Sequence, residues 1–212
     1  MSICYIVGAG EGFVPFSKND DDLVIAADGG YEALRKCDIL PDLLIGDFDS
    51  LPEGIALPKS IPHLRFPKEK DETDTYLAFL EGYRRGYRDF VLLGCTGGRA
   101  DHTYANYQLL YTIKKRLANA LLLDDKNAVF CMENEAVELS ADVGTRVSIF
   151  ALSNEAFGVT LEGLLYPLAD GTLSADFPLG VSNEMASERA RLEVKRGALL
   201  VFTEPSAHIR YL

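Results

Sequence analysis

In its first half the chain sets short, unbroken apolar runs directly before small and acidic residues, and it repeats that order. Ile3 to Val7 leads into Gly8-Ala9-Gly10-Glu11-Gly12, and Leu23 to Ala27 leads into Asp28-Gly29-Gly30. Leu43 to Ile45 leads into Gly46-Asp47-Phe48-Asp49-Ser50, and Phe90 to Leu93 into Gly94-Cys95-Thr96-Gly97-Gly98-Arg99-Ala100-Asp101-His102. None of these runs alternates with polar residues, so they predict strands covered on both faces, as in a parallel α/β sheet. Between them lie helical patterns. Tyr31 to Cys37 is short, whereas Thr75 to Arg85 carries Tyr76, Leu77, Phe79, Leu80 and Tyr83 on a broad stripe at helical spacing. The segment from His102 to Arg116 repeats that spacing with Tyr104, Tyr107, Leu110 and Tyr111. Strand, helix and strand at this pitch predict βαβ units.

The texture changes beyond about residue 125. Ala128 to Met132, Ala136 to Leu139, Arg146 to Leu152, Phe157 to Leu161, Arg191 to Val194 and Ala198 to Thr203 are short apolar runs separated by Asn-Glu, Asp-Gly and Arg-Gly turn signals. Such spacing predicts an antiparallel sandwich or barrel. The boundary falls at Asp124-Asp125-Lys126-Asn127, giving an α/β domain over residues 1–125 with a mainly parallel sheet, and an all-β domain over 126–212.

At 212 residues the chain is long enough to bury a sizeable core, and its 48% hydrophobic and 25% charged residues are ordinary for a globular protein. The formal charge of −11 argues against a nucleic-acid partner, because phosphate backbones require a basic surface. An acidic protein acting on a phosphorylated substrate needs a bridging cation instead. Cys4, Cys37, Cys95 and Cys131 show no CxxC pair and no zinc spacing, and Cys4 and Cys95 read as core thiols. With no basic leader and no run near roughly 18 apolar residues, the expectation is a cytoplasmic protein without a membrane partner.

In parallel sheets, ligands bind outside the carboxyl ends of the strands, where Asp28, Asp47, Asp49, Arg99 and Asp101 would lie. Turn formation by Asp and Gly accounts for any one of these motifs, but less well for their repetition. Asp47 and Asp49 are two positions apart, so in extended backbone their carboxylates share a face and can converge on a cation. Mg2+, a hard oxygen-seeking ion, relieves their repulsion and bridges to phosphates. An Asx-turn at Asp49-Ser50 is the structural alternative. Lys70-Asp71-Glu72-Thr73-Asp74 precedes the helical stripe, where Thr73 or Asp71 suits an N-cap. Capping needs one acid, which leaves Asp71 or Asp74 for a metal and Lys70 for a phosphate. Gly97-Gly98-Arg99 couples backbone that can approach an anion to a guanidinium that holds phosphate oxygens, at the predicted start of a helix. His102 reads as a cap or packing residue. Gly8 to Gly12 is a glycine loop fit to face a nucleotide, but GxGxxG fails because position 13 is Phe. With no P-loop, no GxSxG elbow and no HExxH, metal-assisted phosphoryl-group transfer is the chemistry that remains.

Taken in order, Ala27-Asp28-Gly29-Gly30, Gly46-Asp47-Phe48-Asp49-Ser50, Lys70-Asp71-Glu72-Thr73-Asp74, Gly97-Gly98-Arg99-Ala100-Asp101-His102 and Ser182-Asn183-Glu184 resemble the motif series of the thiamine pyrophosphokinase family. The resemblance implies an α/β catalytic domain, a C-terminal β-sandwich that binds thiamine and dimerises, and a homodimer with active sites between subunits. It implies diphosphoryl transfer from ATP to the hydroxyethyl oxygen of thiamine, giving thiamine diphosphate and AMP. By similarity Mg2+ is held by Asp47, Asp49 and Asp74 with Asp71 close by, and these acids with Arg99 carry catalysis. The ATP site would be lined by Asp28, Gly29, Gly30, Lys70, Thr73, Gly97, Gly98, Arg99 and Asp101, while Ser182 and Asn183 would contact thiamine. The chain has no Trp, so a Tyr or Phe must serve any stacking on the acceptor. Two rival readings are a Mg2+-dependent phosphohydrolase acting through Asp47 or Asp49, and a thiamine or nucleotide sensor without turnover.

Overall fold

The computed structural model describes residues 2–48 and 57–212. It divides into two compact units, residues 1–109 with 117–125, and residues 110–116 with 126–212.

The first unit is built on β1 (Ile3–Val7), β2 (Leu23–Ala27), α1 (Gly30–Lys36), β3 (Leu43–Gly46), β4 (His63–Arg65), α2 (Asp74–Arg84), β5 (Asp89–Leu93), the part of α3 (Ala100–Lys115) up to Leu109, and β6 (Asn119–Leu123). Its strands lie in the order β6-β5-β1-β2-β3-β4, and every pairing is parallel. The unbroken apolar runs follow from that arrangement, since β2 and β3 are buried along their whole lengths. Tyr5, Val7, Val24, Ala26 and Leu44 form a core cluster with Tyr31 and Leu34 of α1. On the other face α2 presses close: a Cβ at Gly82 would stand 2.7 Å from Cys4 Sγ, so only glycine lets the helix approach this near. Thr73 caps α2 by accepting from Tyr76 N–H at 3.2 Å, one of the two caps the sequence offered.

In the second unit, β7 (Ala128–Glu133), β8 (Ala136–Ser140), β9 (Arg146–Ala151), β10 (Glu155–Glu162), β11 (Leu168–Ser174), β12 (Gly180–Glu184), β13 (Arg189–Glu193), β14 (Ala198–Thr203) and β15 (His208–Tyr211) form two antiparallel layers. One runs β12-β9-β14-β7 and the other β11-β10-β13-β8-β15, with β10 against β14 and β11 against β9. The alternatives were a sandwich and a barrel; two facing sheets make it a sandwich. Among the described residues no helix is long and apolar enough to cross a membrane.

Buried acids in the first unit are tied to defined donors. Asp22 accepts from Ile3 N–H and Asn19 N–H, each at 2.8 Å. Burial alone would raise its carboxyl, yet the Asn19 and Ile3 donors outweigh burial and hold it below the ordinary carboxylate value. Glu81 is likewise held low, first by Arg84, against burial, and then by Arg85. Groups depressed in the folded state stabilise it above their unfolded values, and that contribution is lost as pH falls through the folded ones. Asp22→Ala is expected to cost about 2–3 kcal/mol in chemical denaturation at pH 7, through backbone donors left unpaired. The gap between variant and wild type should narrow below about pH 4, where Asp22 takes up a proton.

Candidate functional site

Parallel pairing sends the chain out of each strand of the first unit at one edge of the sheet, so the segments after β1, β2, β3, β4 and β5 gather there. Asp28, directly after β2, adopts a left-handed backbone with φ +48°, and its N–H donates to Ile45 O at 2.7 Å. That bond pins the end of β2 to β3 and fixes where the carboxylate starts. A non-glycine residue in this conformation is strained, and Asp tolerates it better than most. Gly46 sits against it, with a hypothetical Cβ 3.0 Å from Asp28 Cα. Asp47 follows, and Asp74 opens α2 beside the Thr73 cap.

Asp28 and Asp47 act on Asp74. Burial raises the Asp74 carboxyl above its ordinary value; Lys70 pulls it back, and the negative charges of Asp28 and Asp47 push it up again. Lys70 Nζ forms an ion pair with Asp74 Oδ1 at 3.1 Å, and it donates to Pro67 O at 3.2 Å. Asp28 Oδ1 is buried and, among the described residues, lacks a hydrogen-bond partner. Buried carboxylate oxygens crowded by like charge fit a hard divalent cation, whose binding would relieve both conditions. Among the described residues, however, no three His, Cys, Asp or Glu side chains are grouped so as to hold a metal. Asp49, expected as a metal ligand, lies outside the described residues, as does Ser50. Asp71 is exposed and is not among the charges that act on Asp74.

Gly97 and Gly98 are left-handed at φ +75° and +56°, as an anion-facing turn requires. Arg99 and Asp101 form an exposed two-pronged pair, Nη2 to Oδ2 at 2.6 Å and Nε to Oδ1 at 3.2 Å. His102 is exposed and gives its N–H to Asp101. Other glycines have a packing reason: a Cβ at Gly30 would stand 1.9 Å from Val7 O, and one at Gly10 would stand 2.3 Å from Thr96 O. Gly8 and Gly10 donate to Leu93 O and Gly94 O, so the loop after β1 is laced to the loop after β5.

Sequence reading missed the polar frame behind this edge. Asn106 on α3 is buried; it accepts from Thr75 Oγ1 and donates to Cys95 O, both at 2.8 Å, joining the start of α2 to the loop after β5. Asp124, read as part of a domain boundary, is buried and accepts from Thr96 Oγ1 at 2.9 Å. Nothing in a lone Asn or Asp signals such a bridge before the fold is known.

In the second unit, Ser182 and Asn183 lie on β12, a strand the pattern did not reveal. Ser182, left-handed at φ +59°, borders a cavity of about 150 Å3 with Arg146, Ser148 and Glu204. Asn183 is buried. Its Oδ1 accepts from Tyr166 N–H and Glu184 N–H, and its Nδ2 donates to Tyr166 O at 2.8 Å. Its amide thus clamps the backbone of Tyr166, a residue that is 65% exposed.

Comparison with known proteins agrees with this geometry. The family model described as "Thiamin pyrophosphokinase, catalytic domain" matches residues 17–122, and "Thiamin pyrophosphokinase, vitamin B1 binding domain" matches residues 135–199. The chain is 30% identical over 187 residues to the thiamine pyrophosphokinase of Bacillus subtilis (strain 168), covering 86% of this chain and 87% of that relative. The crystal structure of thiamine pyrophosphokinase from Bacillus subtilis superposes with a TM-score of 0.85 at 25% identity, over 96% of this chain and 99% of that one. The structure from Geobacillus thermodenitrificans gives 0.80 at 26%, over 95% and 97%.

The strain and the charge at Asp28 can be separated by substitution. Asp28→Asn keeps a side chain that tolerates the left-handed backbone and removes a like charge from Asp74, so its Tm at pH 7 should rise by about 1–2 °C. That gain requires an ionised Asp74; because the Asp74 value is raised, the gain should vanish as pH falls through it. Asp28→Val, β-branched at φ +48°, should lose about 1–3 kcal/mol at either pH.

Proposed function

The chain belongs to the thiamine pyrophosphokinase family, and from that premise we propose that it moves a diphosphoryl group from ATP to the hydroxyethyl oxygen of thiamine, yielding thiamine diphosphate and AMP. The observation that carries the reading is the gathering of Asp28, Asp47 and Asp74 at the carboxyl edge of a parallel sheet, close enough that Asp28 and Asp47 act on the partly buried Asp74, with Lys70 paired to it. Acids crowded in this way are unfavourable unless a cation joins them to an anionic substrate. Asp47 and Asp74, with Asp28 adjacent and Asp49 and Asp71 in the same motifs, would hold Mg2+, which when bound neutralises polyphosphate charge.

The residues of the chain supply positioning. Lys70 offers a point charge to a phosphate, and the left-handed Gly97-Gly98 turn lets backbone N–H groups approach its oxygens. Arg99 already holds one anion with both prongs in Asp101, and exchanging that carboxylate for a phosphate keeps its geometry. In the transfer, the thiamine hydroxyl oxygen bonds to the β-phosphorus while the bond from that phosphorus to the α,β-bridging oxygen breaks. AMP leaves with the bridging oxygen, and the hydroxyl proton passes to solvent. A loose transition state asks for alignment and charge more than for a strong base.

The second unit would receive the acceptor. Tyr166, held by Asn183, is the aromatic surface for a thiamine ring, and Ser182 is next in line on β12. Asn183 therefore supports the acceptor through Tyr166 rather than touching it with its engaged amide. The edge strand β12 and the exposed Leu165, Phe177, Leu179 and Val181 offer an apolar surface for a second copy, giving a homodimer. Four unpaired thiols and an ATP donor support a cytoplasmic location.

Incubation with ATP, Mg2+ and thiamine should give AMP and thiamine diphosphate in equal amounts. ADP with phosphate, released whether or not thiamine is present, would instead establish a phosphohydrolase, and ligand binding without any product a sensor. Asp47→Asn and Asp74→Asn should each cost about a thousandfold in rate, on the order of 4 kcal/mol. Tyr166→Ala should raise the thiamine KM far more than the ATP KM, Tyr166→Phe should restore it, and Asn183→Ala should follow Tyr166→Ala.

A further inference from the structure

On the reading that ATP is the donor, we infer that Asn106 is a positioning residue for the transfer: it spans from Thr75 to Cys95 O and so sets the start of α2, where Asp74 stands, against the Gly97-Gly98 turn. The two halves of the site come from separate segments. Asp28, Asp47 and Asp74 belong to the ends of β2 and β3 and the start of α2, whereas the turn belongs to the loop after β5. Asn106 stands on α3, is buried, and reaches both. Cys95 O can only accept, so the amide group facing it must be the donor, which fixes the orientation of the side chain. Its Oδ1 then accepts from Thr75 Oγ1.

The bonds form a directed chain. Thr75 gives its one hydroxyl proton to Asn106, so its 3.1 Å contact with Thr73 Oγ1 requires Thr73 to donate. Thr73 Oγ1 in turn accepts from Tyr76 N–H as the cap of α2. The cap beside Asp74 is thereby tied, through two hydroxyls and one amide, to the loop that carries the glycine turn. The far flank of that loop is fixed independently, by Thr96 Oγ1 to buried Asp124 at 2.9 Å and by Glu11 N–H to Thr96 O at 2.7 Å. The close packing of α2 on the sheet at Gly82 lies about 12 Å along the helix from Asp74. Loss of Asn106 would therefore let the helix start move relative to the turn rather than carry both together. Phosphoryl transfer is governed by alignment, and a misplacement of about 1 Å can cost on the order of a hundredfold. An Asp in place of Asn106 could accept but not donate, and a Leu could do neither.

Thr75→Val removes the hydroxyl at nearly constant volume, and Thr75→Ser keeps it. In the full chain, Thr75→Val should lower kcat about tenfold or more, with the thiamine KM within about twofold of wild type. Calorimetry with the magnesium complex of α,β-methylene-ATP, whose bridge cannot be cleaved, should show its Kd raised about fivefold or more. Thr75→Ser should restore both values. Asn106→Ala should follow Thr75→Val; if Asn106→Ala fails to fold, the two Thr75 variants decide. Asp22→Ala, which loses stability at the opposite edge of the sheet, should keep wild-type kcat and Kd. A matching loss in Asp22→Ala would show a general softening of the sheet and overturn the assignment. Wild-type kcat and Kd in Thr75→Val, or no recovery in Thr75→Ser, would also overturn it while the reaction stands. A wild-type protein that makes no AMP but binds the magnesium complex refutes the reaction instead, and the Kd values of the variants then decide the role of Asn106. Absence of both overturns both.

Discussion

Parallel strand pairing is the constraint from which the rest of the first unit follows. A parallel sheet is stable only when both faces are covered, which is why β2 and β3 are apolar from end to end and why chemistry cannot sit on their faces. Polar residues are displaced to the strand ends, and parallel direction makes all the exits share one edge. Acids that lie far apart in sequence, Asp28, Asp47 and Asp74, therefore come within electrostatic reach without any segment having been shaped to bring them there. The order β6-β5-β1-β2-β3-β4 adds a second consequence. The chain moves outward from β1 through β4 and returns to the other side of β1 with β5, leaving a switch point between β1 and β5.

That switch point explains the glycines better than ligand contact alone does. The exits of β1 and β5 are laced together by Gly8 N–H to Leu93 O and Gly10 N–H to Gly94 O, and side chains at Gly8 or Gly10 would collide with the Gly94 and Thr96 carbonyls. Close backbone approach is thus spent within the protein at Gly8, Gly10 and Gly30, Gly98 owes its identity to left-handed backbone, and Gly97 answers to both, since a Cβ there would stand 2.6 Å from Glu11 Cβ. One residue type answers two separate demands, and sequence alone does not distinguish them. Asn106, Thr75, Thr96 and Asp124 then lock the same edge from behind with buried hydrogen bonds.

The strands that bury two faces were legible: β1, β2, β3, β5 and β14 fall on the predicted runs to within a residue or two, because a short, unbroken apolar run bounded by turn residues fits little besides a strand covered on both sides. Those with little to bury were not. His63–Arg65 is exposed throughout, and Leu168–Ser174, Gly180–Glu184 and His208–Tyr211 are largely exposed strands whose sequences read as turns or polar linkers. Their order comes from backbone pairing with neighbours, which carries no side-chain signature. Among the site residues, types and strand-end positions were legible, but partners were not. Asn183 shows the limit: its motif suggested contact with a ligand, while its amide is used to hold Tyr166, a relation set by the approach of a loop to an edge strand.

The same logic bears on why an acidic protein of charge −11 keeps further acids crowded at this edge. Asp74 stands at the start of α2, where the helix terminus and Lys70 favour a carboxylate, while burial and the charges of Asp28 and Asp47 disfavour it. Opposed influences of this kind leave an anion in place without satisfying it, and the buried unpartnered oxygen of Asp28 is in a similar condition. A site satisfied in isolation would gain little from a cation and a polyphosphate. On the proposed reading, one held together by backbone bonds with its carboxylates crowded would retain that unfavourable energy until binding removes it. The rigid frame of parallel strands and buried amides keeps these acids close, and on the proposed reading the scaffold would contribute to substrate affinity through residues that never touch substrate.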